Sequence, residues 1–294
     1  MALAATDEGA LMRIAIASGK GGTGKTTVAV NLAVAITRQG DTVHLCDCDV
    51  EEPNADLFLN PFFTNQWPVT VPVPTVNQDL CSSCGKCADI CEFNAIACLP
   101  HLTMIYPDLC HSCGGCWLVC PSKAITPEDQ PIGKISTGIS DNLTFTQGRL
   151  QIGQTLVPPL IEAVKDVPRG ETWIIFDAPP GTTCPVMATL QGVDFVLLVA
   201  EPTPFGRHDL ALALELTRRL NIPCGVVINR SEGTDGLLEN FCIREGVEIL
   251  ARIPFRREVA AACAEGGLAL DTDPEVLAAI SGLITNLRAR EVWA

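Results

Sequence analysis

The chain is poor in several things, and each shortage excludes a class of protein. Aromatic residues are scarce: ten phenylalanines, four tryptophans and one tyrosine among 294 residues. Basic residues are outnumbered, with 20 lysines and arginines against 34 acids and a formal net charge of −14. That balance argues against nucleic acid and against an anionic membrane surface as partners, since both require a basic footprint. No apolar run reaches the ~18 residues of a membrane span. Residues 1–11 lack the cationic start and apolar stretch of a secretory leader. The tail EVLAAISGLITNLRAREVWA has only Arg288 and Arg290 as bases, so it does not read as a basic helix for a membrane surface. The expectation is a cytoplasmic protein with reduced thiols.

What the chain does have is cysteine, 15 in all. In a reducing compartment clustered cysteines read as metal ligands rather than disulfides. Eight fall in two tight runs, CSSCGKCADIC and CHSCGGCWLVCP. Apart from the neighbours Cys46 and Cys48, the others are scattered singly and read as small buried hydrophobes.

On either side of the cysteine block, apolar strands alternate with amphipathic helices. Strands are expected at 11–17, 41–47, 172–177, 194–200, 224–229 and 247–254. Helices are expected at 25–38, 156–166, 206–219 and 236–245, with two more closing the chain. Val28, Leu32 and Ile36 form one stripe of the first helix, and Gly40 stops it. Residues 69–76 read as a strand or extended linker, and 133–153 as strands or a hairpin. Continuous apolar strands in this rhythm predict an α/β fold, a mostly parallel sheet covered by helices. The cysteine block is then an insertion into one α/β domain. The expected division is an α/β domain over 1–75 and 128–294, with an inserted domain at 76–127.

Between the first strand and first helix stands Gly19-Lys20-Gly21-Gly22-Thr23-Gly24-Lys25-Thr26, followed by Thr27. This fits G-x-x-x-x-G-K-[ST], a loop whose backbone N–H groups and helix N-terminus face a phosphate chain. Lys25 is expected to reach the β- and γ-phosphates, and the Thr26 hydroxyl to ligate Mg²⁺. Lys20 sits too early to share that role. It reads either as an exposed lysine without function or as a cation that meets phosphate across a symmetric interface, as an arginine finger does.

With both lysines, KGGTGKTT resembles the deviant phosphate loop of the MinD/ParA/Mrp class of P-loop ATPases, which includes the nitrogenase iron protein. The resemblance covers about residues 12–60 and 150–290. It implies that Lys20 crosses an ATP-sandwiched dimer. In Asp47-Cys48-Asp49, which resembles the first switch, it assigns Asp49 to polarising the attacking water; a strand-end turn acid is the plainer reading. In DAPPGTT (177–183), which resembles the second switch, Asp177 would hold Mg²⁺ through water and Gly181 would sense the γ-phosphate. Asn229 matches an asparagine that reads adenine, or else is an ordinary strand-end cap.

Cys81, Cys84, Cys87 and Cys91, then Cys110, Cys113, Cys116 and Cys120 with Pro121, repeat C-x₂-C-x₂-C-x₃-C. Zinc is one reading of so many thiols. The duplicated spacing is similar to bacterial two-cluster ferredoxins, in which each fourth cysteine ligates the other [4Fe–4S] cluster. That resemblance implies one cluster on Cys81, Cys84, Cys87 and Cys120, and another on Cys91, Cys110, Cys113 and Cys116. Glu92 departs from the usual proline and is expected to loosen the turn after Cys91. Cys184 stands where the nitrogenase iron protein has a bridging-cluster cysteine, but no cysteine between Cys120 and Cys184 supplies its partner, and a buried thiol is the alternative. The C-x-x-C that Mrp-type carriers use in their C-terminal third is absent; Cys224, Cys242 and Cys263 stand far apart.

Together these readings predict an ATPase with ATP, Mg²⁺ and two [4Fe–4S] clusters. It would form an ATP-dependent homodimer, or a heterodimer with a paralogue, and couple dimer switching to electron transfer toward a redox partner. The alternatives are a cluster scaffold or carrier acting on an apo-protein acceptor, and a positioning ATPase with redox-sensing clusters.

Overall fold

A computed structural model describes residues 12–168 and 170–290. Leu11, with which the expected first strand begins, and residues 291–294 of the tail lie outside the described residues. The chain divides into two compact units. The first comprises residues up to Gln66, Ile135–Arg149 and residues from Ile161 onward; the second comprises Trp67–Lys134 and Leu150–Leu160. The expected insertion at 76–127 falls within the second.

The strands are β1 (Met12–Ala17), β2 (Val43–Asp47), β3 (Phe62–Val76), β4 (Ile96–Leu99), β5 (Leu102–Ile105), β6 (Ile125–Ser140), β7 (Leu143–Leu150), β8 (Trp173–Asp177), β9 (Phe195–Ala200), β10 (Cys224–Ser231) and β11 (Ile249–Pro254). The helices are α1 (Lys25–Arg38), α2 (Asp56–Leu59), α3 (Lys86–Asp89), α4 (Gly115–Leu118), α5 (Pro158–Lys165), α6 (Cys184–Leu190), α7 (Pro204–Arg219), α8 (Gly236–Glu245), α9 (Arg257–Ala264), α10 (Ala269–Thr272) and α11 (Pro274–Arg288). The main sheet runs β11-β10-β9-β1-β8-β2-β7-β6-β3. From β11 through β7 every described pairing is parallel.

In the first unit the period-2 alternation of the strands feeds both faces. Ile14, Ile16, Leu45 and Ile175 pack with Val28, Leu32 and Ile36 of α1 and with Ile280 and Leu283 of α11. The intervening Ala15, Cys46, Ile174 and Phe176 are equally buried. Such two-sided burial requires the continuous apolar strands seen in the sequence. Gly40, in the left-handed region at φ 99°, ends α1 as expected. Asn31 ties α1 to α10: its side-chain oxygen accepts from Leu270 N at 2.9 Å.

The expected extended segment at 69–76 is the end of a longer strand, β3. The expected 133–153 pattern is the end of β6 and all of β7, joined through Asp141 at φ 49° into a hairpin. β3 and β6 each begin in one unit and end in the other.

In the second unit, β4 and β5 form a two-stranded antiparallel sheet. The two cysteine runs build matching loop-and-helix halves, each opening its short helix from a left-handed glycine: Gly85 at φ 78° before α3 and Gly114 at φ 81° before α4. No helix among the described residues is long and apolar enough to cross a membrane.

Candidate functional site

In a parallel sheet, ligands bind beyond the carboxyl ends of the strands. The sequence-predicted nucleotide residues gather there in the first unit. The glycine-rich loop follows β1, Asp47 ends β2, Asp177 ends β8, and Asn229 lies near the end of β10. Register places Asp47 beside Asp177, and Asp177 beside Ile16.

The loop is held close from two sides, and this explains two of its glycines. A Cβ on Gly19 would fall 2.1 Å from the Asp209 carbonyl oxygen of α7. Gly24 sits at φ 88°, and a Cβ there would fall 2.2 Å from Asn229 Nδ2. Gly22 also lies in the left-handed region, at φ 78°, and the Cβ position of Gly21 is 3.8 Å from Pro180. Thr23 and Lys25 are buried, and the Thr23 hydroxyl has no hydrogen-bond partner.

Asp177 is almost completely buried, and neither carboxylate oxygen meets hydrogen-bond geometry with any donor. Burial pushes its pKa up to about 7; the Thr26 hydroxyl and the Lys25 ammonium pull it down, and Asp49 adds repulsion. Asp49 is shifted up by burial, which Lys25 partly counters. Lys25, Thr26, Asp49 and Asp177 therefore form one electrostatic group. An orphaned buried carboxylate beside a threonine hydroxyl is the donor set that a hydrated Mg²⁺ takes in phosphate loops, so these residues fit that ion.

Asp47 was not singled out by sequence reasoning as a site residue. It is fully buried, and its carboxylate accepts from the N–H groups of Asp49, Asn54 and Ala55, each at 3.0 Å. It fixes the loop that carries Asp49. Burial and then the neighbouring Asp177 raise its pKa, which the three N–H groups oppose. The signal available was position: the first acid of DCD closes an apolar strand, where a carboxylate without ligands needs backbone donors.

Three predicted residues are engaged elsewhere. The Lys20 ammonium lies 3.8 Å from Glu201 Oε2 and 3.8 Å from Asp209 Oδ2 of its own chain. Gly181, at φ 96°, donates its N–H to the Ser18 carbonyl at 3.1 Å. Asn229 donates its side-chain N–H to the Thr23 carbonyl at 2.8 Å. Asn229 also borders a cavity of ≈ 170 Å³ with Thr27, Arg230, Pro254, Phe255 and Arg256. Arg230, missed in the sequence, sits at φ 55° and places a guanidinium nitrogen 2.5 Å from Glu201 Oε1. A non-glycine residue in that region is uncommon and marks a constrained turn.

In the second unit Cys91, Cys110, Cys113 and Cys116 border one cavity, whose walls include Pro74, Phe93, Ile96 and Trp117. Its volume is ≈ 20 Å³. The Ala95 N–H donates to Cys91 Sγ, the Ser112 N–H to Cys110 Sγ and the Ala124 N–H to Cys120 Sγ, each at 3.3 Å. A hydrogen bond from Thr103 is the largest influence holding the Cys81 thiol below its ordinary pKa. The expected loosening at Glu92 is absent. Asn94 N closes on Cys91 O at 3.2 Å, as Lys123 N closes on Cys120 O at 3.2 Å, because the turn is fixed by backbone and sulfur bonds and needs no proline. Cys184 is exposed at the start of α6 rather than buried.

These features define a P-loop nucleotide-binding fold in the first unit and a cysteine-rich second unit. The sequence matches the CobQ/CobB/MinD/ParA nucleotide-binding domain family over residues 14–269, and the chain belongs to that family. The fold is likewise that of the septum site-determining protein MinD of Pyrococcus horikoshii, solved with Mg-ADP. The TM-score is 0.61 and the identity 21%, over 95% of this chain and 96% of that one. Uncharacterized protein MJ0578 of Methanocaldococcus jannaschii is 32% identical over 95% of this chain and 98% of its own length. The iron-sulfur cluster carrier protein of Pyrococcus furiosus is 25% identical over 83% of this chain and 74% of its own length. The chain is thus a nucleotide-binding ATPase of the MinD/ParA type.

Proposed function

We propose that this chain couples ATP-driven pairing of two copies to one-electron transfer through two [4Fe–4S] clusters, toward a partner protein. One observation carries the electron-transfer part of this reading: Cys91, Cys110, Cys113 and Cys116 come from both runs yet border a single cavity. That crossed set is the one a two-cluster ferredoxin requires. Among the described residues no three His, Cys, Asp or Glu side chains converge tightly enough to hold a single metal ion. Backbone N–H groups aimed at the sulfurs fit a polynuclear group. The clusters, when bound, supply one-electron storage. The cysteines hold them, and the apolar walls limit water.

In the nucleotide unit, the loop backbone and Lys25 bind the phosphates, Thr26 and Asp177 hold Mg²⁺, and Asp49 orients the attacking water. Lys20 has to leave Glu201 and Asp209 to reach a partner's nucleotide. Part-exposed pairs of this kind contribute on the order of 0–1 kcal/mol, so the contact yields readily to a triphosphate. Gly181 likewise has to release the Ser18 carbonyl before its N–H meets a γ-phosphate. A homodimer is the simplest assembly that uses Lys20; a paralogous partner serves equally.

The test is anaerobic. The reconstituted protein should hold about eight iron atoms per chain, as two four-iron clusters require, and should reduce an electron acceptor faster with Mg-ATP. Equal rates in a sample that hydrolyses ATP would remove the coupling. The similarity to an iron-sulfur cluster carrier supports a second reading, delivery of clusters to apo-proteins. Loss of iron from this chain to an apo-acceptor, with matching gain there, would favour it.

A further inference from the structure

The two cysteine runs have nearly the same backbone. Ser83 and Ser112 lie at φ 49° and 55°, and Asn94 and Lys123 at φ 53° and 52°. The N–H bonds from Ala95 to Cys91 Sγ and from Ala124 to Cys120 Sγ are equal at 3.3 Å. The side chains that face the sulfurs break this symmetry. Thr103 stands as far ahead of Cys110 as Pro74 stands ahead of Cys81. The Thr103 hydroxyl lies 3.3 Å from Cys81 Sγ and 3.5 Å from Cys98 Sγ. Its backbone is clamped by the Gln78 amide, which donates to Thr103 O at 2.7 Å and accepts from Thr103 N at 3.2 Å. The Ser122 hydroxyl adds a contact to Cys120 Sγ at 3.7 Å. At the equivalent place Pro74 borders the cavity of Cys91, Cys110, Cys113 and Cys116, with Phe93 and Trp117 beside it. Proline offers neither a hydroxyl nor an N–H.

We propose that Thr103 sets the potential of one cluster, making the site of Cys81, Cys84, Cys87 and Cys120 the more readily reduced of the two. The inference rests on the reading above that these cysteines hold [4Fe–4S] clusters. A Cys81 that ligates iron is a thiolate and only accepts hydrogen bonds, so the Thr103 proton points at it. Thr103 then gives up its other acceptor, Cys98 Sγ, to which its hydroxyl has donor geometry at 3.5 Å. Reduction places additional negative charge on the cluster and its sulfurs. A donor already aimed at a sulfur stabilises that charge, and hydrogen bonding to sulfur is one of the levers on cluster potential. At the other site Pro74 and Phe93 provide no such donor, and His111, which also borders that cavity, lies stacked on the Phe93 ring with centroids 3.7 Å apart. One electron from a low-potential one-electron donor therefore resides at the Cys81 site, with no proton moved and no bond made or broken.

The test is an anaerobic redox titration, followed by paramagnetic resonance, of the reconstituted full chain. Two separate couples are expected in the parent protein. Thr103→Val should move the higher couple downward and leave the lower one in place, and Thr103→Ser should restore it. Pro74→Thr puts a hydroxyl at the equivalent position and should move the lower couple upward. If Thr103→Val retains full iron and both couples stay where they were, the inference is overturned while the cluster reading stands. If Thr103→Val loses its cluster, Pro74→Thr decides, and an unmoved lower couple overturns the inference. A parent protein that takes up no four-iron clusters would remove the reading beneath it as well, which iron and sulfide analysis distinguishes.

Discussion

The two units of this chain are held together by different means. The nucleotide unit has an ordinary α/β core, in which Ile14, Ile16, Leu32, Leu45, Phe145 and Ile175 are all essentially removed from solvent. Beside the cysteines of the second unit, the four buried members of the apolar cluster are Cys87, Ile96, Cys116 and Ile125, with Val76, Ile105 and Trp117 packed partly buried against them. Two of the four buried members are expected cluster ligands. Leu118 and Leu80 remain largely exposed. The contrast teaches that the first unit is organised by hydrophobic burial, while on the proposed reading the second gains order from the clusters its cysteines would hold.

Removing the iron should break this contrast most visibly. Chelated protein is expected to be cut by protease throughout 67–134 while nucleotide affinity stays within about twofold; a resistant apo-unit would show that its apolar contacts suffice. Next in size, Lys20→Ala should lower ATP turnover about 10³-fold, the scale of a cation supplied in trans, with nucleotide affinity and visible absorbance unchanged. Persistent turnover would leave Lys20 a surface residue paired with Glu201 and Asp209. Lys25→Ala should weaken nucleotide binding about 100-fold, read by calorimetry, again without bleaching the clusters. Asp47→Ala should cost the nucleotide unit about 2 kcal/mol, because three backbone donors lose their acceptor. Arg38→Ala removes the exposed pair with Asp271 and should change stability by less than about 1 kcal/mol. Both changes are checked by denaturant titration.

Much of the nucleotide unit was legible in the sequence because its signals are local. An apolar run, a glycine-rich loop and a helix stripe each follow from neighbouring residues, and β1, α1, β8, β9 and α8 lie within a few residues of expectation. The length of β3 was not legible. Phe62–Gln66 and Trp67–Val76 form one strand, yet the stretch is broken by Pro68, Pro72 and Pro74 and by a polar Thr64-Asn65-Gln66 run, and pairing in the sheet keeps it extended. Asp47 and Arg230 were missed for a related reason: Asp47 acts through a loop that folds back to bring Asn54 and Ala55 onto its carboxylate, and Arg230 through Glu201, 29 residues away.

By itself the sequence determined that a phosphate loop, its two acidic strand ends and two four-cysteine runs occur in one chain, since spacing along the backbone is enough to encode each of them. Only the tertiary structure decided that Lys20 is paired with its own Glu201 and Asp209, that Asp177 is left without a donor, and that Thr103 rather than a proline faces Cys81. The physical reason is that these are contacts between segments far apart in sequence. Their distances are set by how strands and helices pack.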